Sequence, residues 1–160
     1  MALNKLIVAM AVAGLVSLCW MKHPAFAANG SVDVEADQME IIDAEHKTIF
    51  RGNVVAKRPT DTIKSDEMIV LSKDEKQPDG TVKSITDSVD GTGNVTVLSK
   101  NAVITGDWVK FDVPHDKMVV GGNVKLVQGT STIAGQRLEM NTKTNHLQMT
   151  GGRVNGSFVP

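Results

Sequence analysis

The chain has 160 residues, 41% of them hydrophobic, with 17 Lys and Arg set against 18 Asp and Glu. That length suits one domain with a continuous apolar core. With aromatics at 4% and no Tyr, the core must come from Val, Ile, Leu and Met. Near-balanced charge without a block of basic residues excludes a nucleic-acid partner, which needs a concentrated basic face.

The first element is a targeting segment. Lys5 supplies a positive start, residues 6–18 form a short apolar run, and Ala25-Phe26-Ala27 has the small-x-small pattern of a cleavage site. The run is short of the roughly 20 apolar residues that a membrane span needs. Residues 1–27 are therefore expected to be a signal peptide, and residues 28–160 one exported domain. Cys19 is the sole cysteine, and Leu18 stands before it where a lipoprotein acceptor needs a small residue. The exported part then holds no disulfide, so its stability must come from sheet pairing and burial. Without Lys5 and Lys22 it carries 15 basic and 18 acidic residues, a net charge of −3.

Self-similarity dominates the rest. Four segments share one motif: Arg51-Gly52-Asn53-Val54, Thr92-Gly93-Asn94-Val95, Gly121-Gly122-Asn123-Val124 and Gly151-Gly152-Arg153-Val154. The intervals between equivalent glycines are 41, 29 and 30 residues, and the excess in the first falls in a polar, loop-like stretch at 72–81. A second motif follows the first three glycines at an offset of 13: Ser65-Asp66, Gly106-Asp107 and Gly135-Gln136. An earlier copy, Ala36-Asp37, starts 16 residues before Gly52, as Gly106 stands 16 before Gly122. Alternating apolar pairs flank these motifs, among them Met39 and Ile41, Met68 and Val70, Leu147 and Met149.

Period two with no sustained 3.6-residue period predicts strands. The small and glycine residues predict bends or bulges in the strands. Turns are marked by Asn-Gly, Pro-Asp-Gly, Pro-His-Asp and Lys-Thr-Asn. Units this short cannot bury an apolar face alone and must stack. The expected fold is all-β: an open β-jelly-roll of stacked antiparallel repeats, V-shaped and solenoid-like, with a long apolar slot inside. Val54, Ile63, Met68, Val70, Val95, Val97, Ile104, Val109, Phe111, Met118, Val120, Val124, Leu126, Ile133, Leu138 and Met140 are expected to face that interior. Periodicity alone is equally compatible with an ordinary β-sandwich core.

The opening Ser31-Val32-Asp33-Val34-Glu35-Ala36-Asp37-Gln38-Met39-Glu40, followed by Thr48-Ile49-Phe50-Arg51-Gly52-Asn53-Val54 and the later Gly-Asn-Val and Gly106-Asp107-Trp108-Val109-Lys110-Phe111 rungs, resembles the OstA-like family of the lipopolysaccharide transport machinery. The resemblance spans about residues 31–153, and length and leader match the family's short bridging member. It implies a periplasmic β-jelly-roll open at both ends, stacked head to tail. The partners it implies are lipopolysaccharide and the inner- and outer-membrane components of the same fold. The acyl chains of lipopolysaccharide would lie on the sixteen interior residues. An exposed methylene costs about 0.8 kcal/mol in water, so a dry path has a physical reason. The polar insertion near 74–79 departs from the family pattern. The unpaired edges, expected at 32–40 and 147–154, would join copies by strand addition.

Other motifs carry less. His46, His115 and His146 fall near equivalent turns, beside Lys, Asp or Asn rather than at ligand spacing, so no metal or cofactor is expected. Asp66 and Asp107 recur by repeat position and are read as bend residues bonding nearby backbone N–H groups, not as a catalytic pair. No nucleophile elbow or phosphate loop is present, and no enzymatic activity is expected. Asn94-Val95-Thr96 matches a glycosylation acceptor inside a predicted strand. Lys57, Arg58, Lys100 and Lys125 are read as solvated strand ends, with Lys57 and Arg58 also placed to meet lipid phosphates at a slot mouth. The alternative function is a structural or adhesive β-solenoid that binds an envelope protein and no lipid.

Overall fold

The computed structural model describes residues 32–158. The expected leader and its cleavage site lie outside those residues. Ten strands form one antiparallel sheet: β1 (Asp33–Glu35), β2 (Gln38–Ile42), β3 (Lys47–Lys57), β4 (Asp61–Lys76), β5 (Val82–Ser99), β6 (Val103–Asp112), β7 (Lys117–Gln128), β8 (Ser131–Asn141), β9 (His146–Thr150) and β10 (Asn155–Ser157). Each strand from β3 to β8 pairs with the next in sequence. At one edge β1 and β2 lie end to end along β3, and at the other β9 and β10 lie end to end along β8. The sheet therefore has eight rows. Its two edges are not paired to each other, so it is open and not a barrel.

One defect recurs in alternate rows and lines up across the sheet. Arg51 pairs with Glu67 and Val54 with Ser65, so Gly52 and Asn53 together oppose Asp66. The same register shift separates Thr92 from Val95 and Gly121 from Val124. Two residues against one is a β-bulge, and a bulge bends its strand. Glycine is required at the first bulge position. Gly52, Gly93 and Gly122 have φ of 79°, 77° and 74°, and a Cβ on any of them would press into the aspartate of the preceding row. Asn follows because it tolerates the left-handed region better than other side chains. Asn53, Asn94 and Asn123 have φ of 47°, 46° and 48°.

Aligned bulges divide the sheet into two arms. Arm A comprises β2, β9 and residues 47–51, 67–71, 88–92, 108–112, 117–121 and 137–141. Arm B comprises β1, β10 and residues 54–57, 61–65, 95–99, 103–106, 124–128 and 131–135. Residues from both arms join one apolar cluster, including Met68, Val109 and Leu138 from arm A and Val54, Val97 and Ile104 from arm B. A single sheet can bury its own face to this depth only when one half folds over the other. The V shape follows from that burial.

The second sequence motif now has a steric reason. Its small residue sits inside the crease, where the opposite arm arrives. A Cβ on Gly106 would lie 2.6 Å from Val120 Cγ1, and one on Gly135 would lie 2.6 Å from Met149 Cγ. Ser65 takes the same place on β4, and its buried Oγ has no hydrogen-bond partner.

Three expectations are corrected here. The stretch at 72–81 is mostly not a loop: Ser72 pairs with Thr86 and the ladder runs out to Lys76 with Val82. The insertion thus lengthens the β4–β5 hairpin into a two-stranded polar ribbon, because five added residues on each side of Pro78-Asp79-Gly80 can pair with each other. Gly80 donates its N–H to Gln77 at 2.9 Å, and Thr81 donates to Asp79 Oδ1 through N–H and hydroxyl at 2.9 and 2.6 Å. The equivalent turn residues are His46, Asp116 and Asn145, with φ of 48°, 52° and 54°, so His115 and His146 are only neighbours of that position. Finally, the edge segments at 32–40 and 147–154 are each interrupted at the bend, and the pairing beyond Val154 continues in β10.

Candidate functional site: the apolar interior between the arms

The interior is built by alternation along each row. In arm A, Phe50 faces Met68, Met68 faces Gly91, and Val109 and Val120 continue the layer to Leu138 and Met149. In arm B, Ala56, Ile63, Val97, Ile104, Leu126 and Ile133 form the facing layer. Of the sixteen expected interior residues, Val54, Ile63, Met68, Val95, Val97, Ile104, Val109, Phe111, Met118, Val120, Val124, Leu126 and Leu138 are buried in the cluster, and Val70, Ile133 and Met140 pack against it half-buried. Ala56, Val89 and Phe50 also belong there and escaped the sequence reading. Their signal was available: Ala56 stands two residues after Val54 and Val89 two before Gly91. Ile49 and Val119 are buried too, but they alternate with the inward residues of β3 and β7 and stand outside the cluster.

Within this interior the side chains of the two arms lie close together. Met68, Val97 and Met118 have 0% of their surface exposed, so side chains from the two arms fill the space between them. Val, Ile, Leu and Met from facing arms have the shapes to pack at interior density.

The crease is pinned by a polar ladder. Asn53 donates its side-chain amide to Asp37 at 2.8 Å, Asn94 to Asp66 at 2.8 Å and Asn123 to Asp107 at 3.1 Å. The aspartates therefore accept from the next row's asparagine side chain, and this corrects the expectation that they bond neighbouring backbone N–H groups. The fourth rung lacks the device. Gln136 replaces the aspartate, Gly151-Gly152-Arg153 replaces Gly-Asn, and one extra residue is accommodated, since Arg137 pairs with Thr150 but Ala134 with Asn155. That extra residue is the origin of the 30-residue interval.

The outer face is charged and paired. Arg51 donates to Glu40 at 2.8 Å and Glu67 at 2.9 Å. Glu139 is held below the ordinary carboxylate range, first by Arg137 and then by Lys117. Asp112 is likewise lowered, chiefly by its hydrogen bond with His115. Lys110 is exposed and lies 3.6 Å from Asp90. Lys57 is an exposed strand end paired with Glu35 at 2.6 Å. Arg58 is not solvated: it donates to both carboxylate oxygens of Asp61 at 2.7 and 2.5 Å, and its side chain is 13% exposed. Among the described residues, no group of three or more His, Cys, Asp or Glu is placed to hold a metal ion. No helix among them is long and apolar enough to cross a membrane.

The chain is thus an open antiparallel meander, creased along repeated bulges and lined by aliphatic side chains, an all-β fold of repeated rows. The family described as LptA/(LptD N-terminal domain) LPS transport protein matches residues 33–146. The chain belongs to that family. It is similar to the lipopolysaccharide export system protein LptA of Escherichia coli K12, with 26% identity over 154 residues, 90% of this chain and 81% of that one. An uncharacterized protein of Rhizobium meliloti is 28% identical over 132 residues, 81% of this chain and 71% of that one. In fold it is similar to LptH, described as the LptA-homologous periplasmic component of the lipopolysaccharide transport device of Pseudomonas aeruginosa, with a TM-score of 0.67 at 16% identity over 81% of this chain and 96% of that chain.

Proposed function

We propose that this protein is exported to the periplasm after cleavage following Ala27, and there carries lipopolysaccharide between the inner and outer membranes by taking its acyl chains between the two arms. The observation that carries this reading is the interior itself: two facing aliphatic layers, joined by a crease, in a sheet left open at both edges. Acyl chains need such a surface to cross water, and methionines such as Met68 and Met118 adapt to irregular guests.

The edges support assembly into a longer path. Rows with the small-Asp motif alternate with rows carrying the glycine bulge. One edge row is of the first kind, with Ala36-Asp37, and the other of the second, with Gly151-Gly152. Eight rows alternate in direction, so a second copy in the same orientation meets the first antiparallel and in alternation. Met39 and Ile41 at one edge are 61% and 58% exposed and Phe158 at the other is 68% exposed, apolar surface that a second copy or a partner of the same fold would cover.

A photo-crosslinking residue at Ile104 is expected to capture lipopolysaccharide, and one at the outward Lys110 to capture none. Equal capture at both positions overturns the reading. For assembly, Gln148→Pro in β9 is expected to weaken self-association in sedimentation while the monomer still takes lipid, because proline removes a strand donor at that edge.

A further inference from the structure

Arg58 lies in the turn between β3 and β4, at the end of arm B farthest from the crease. Its bidentate bond to Asp61, together with the Arg58 N–H donating to the Asp61 carbonyl at 2.8 Å, closes that turn. A turn of this kind accounts for the ion pair. It does not account for where the guanidinium rests. Arg58 Cζ lies 4.2 Å from the centroid of the Phe111 ring, which belongs to the far end of arm A. A charged group at the free end of one arm is thus seated on an aromatic face at the free end of the other. The pair is also dry, with Asp61 only 6% exposed in its side chain. In that setting a cation on a ring is worth more than at an open surface.

The opposite end of each arm is the bulge line, where the backbone ladder is interrupted. A V with its weak line at the crease and a polar contact across its tips has the parts of a hinge and a clasp. We propose that Arg58, seated on Phe111 and held by Asp61, is the clasp that holds the tips of the two arms together, and that an apolar guest enters by lifting Arg58 off the ring. The proposal rests on the reading that the interior takes acyl chains. The ion pair travels with arm B, because separating Arg58 from Asp61 strands two desolvated charges, whereas leaving the ring strands none.

Entry of the neutral dye N-phenyl-1-naphthylamine, followed by stopped-flow fluorescence, tests the clasp without reference to cargo. Phe111→Leu keeps an apolar side chain and removes the ring. Arg58→Gln with Asp61→Asn keeps a hydrogen-bonded pair and removes the charge. Both are expected to speed dye entry by roughly five- to thirty-fold, while Lys110→Gln, on the outer face, leaves the rate unchanged. Should Phe111→Leu lose its sheet signature in circular dichroism, Phe111→Met takes its place. Rates within twofold of the parent protein in both clasp variants overturn the proposal. Faster dye entry in a protein that captures no hexa-acylated lipid A leaves the clasp standing and overturns the cargo.

Discussion

Three rungs of this sheet and the fourth solve the same bend differently. At Gly52-Asn53, Gly93-Asn94 and Gly122-Asn123 the strand runs through the crease as a bulge, and an aspartate one row back holds the asparagine amide. At Gly151-Gly152 neither partner is present, and the row breaks into β9 and β10 with Gly151–Val154 unpaired as strand. The difference teaches that the glycine supplies the bend, while the Asp–Asn bond keeps the strand continuous through it. The last row is therefore expected to be the loosest paired part of the described sheet, at the edge where strand addition would order it.

The largest expected effect comes from the shared interior. Met118→Ala empties a site with no exposed surface and should cost about 2–5 kcal/mol. Leu147→Ala, half-buried in the fourth rung, should cost about 1 kcal/mol. Chemical denaturation of the two variants checks the contrast, and equal losses would mean that the last row is as well packed as the centre.

Next comes the crease glycine. Gly122→Ala meets both the positive φ and the Asp107 side chain and should cost about 1–3 kcal/mol. Gly152→Ala meets a φ of 136° but has its nearest contact at 3.6 Å from Gln136 Cγ, so it keeps the backbone cost and should escape only the steric part by the same measurement.

The clamp itself is a smaller quantity. Asp66→Ala is expected to cost about 1 kcal/mol, whereas Gln136→Ala should stay within about 0.5 kcal/mol. Native-state hydrogen exchange sharpens the point. Amides of 146–157 should exchange faster than those of 117–128, and Asp66→Ala should raise exchange on either side of Asn94.

The smallest effect is that of pH. Asp112 and Glu139 lie below their ordinary values of 3.8 and 4.5. Their contribution is thus complete above those ordinary values and lost as pH falls through the lowered ones. Asp112 is exposed and Glu139 only half-buried, so the drop in Tm from pH 7 to pH 3 should be modest, and Glu139→Gln should remove part of it.

Much of this was legible because repetition reports symmetry directly. Alternation named all sixteen interior residues as inward, and each glycine and small residue marked its crease position. Arg58 was not legible. A turn arginine beside a lysine reads as solvated, and only the folding of arm B over arm A carries it to Phe111. The ribbon at 72–86 was missed because its polar residues pair only with each other, leaving no apolar period to detect.

By itself the sequence determined the strands, the bends and the inward face, since these depend on local backbone preference and on side chains that alternate with period two. Tertiary structure alone decided that the arms meet, that Arg58 rests on Phe111, and that Asn reaches the aspartate of the preceding row. Those contacts join residues 16 to 53 positions apart, and their geometry is set by how far the aligned bulges turn one half of the sheet onto the other.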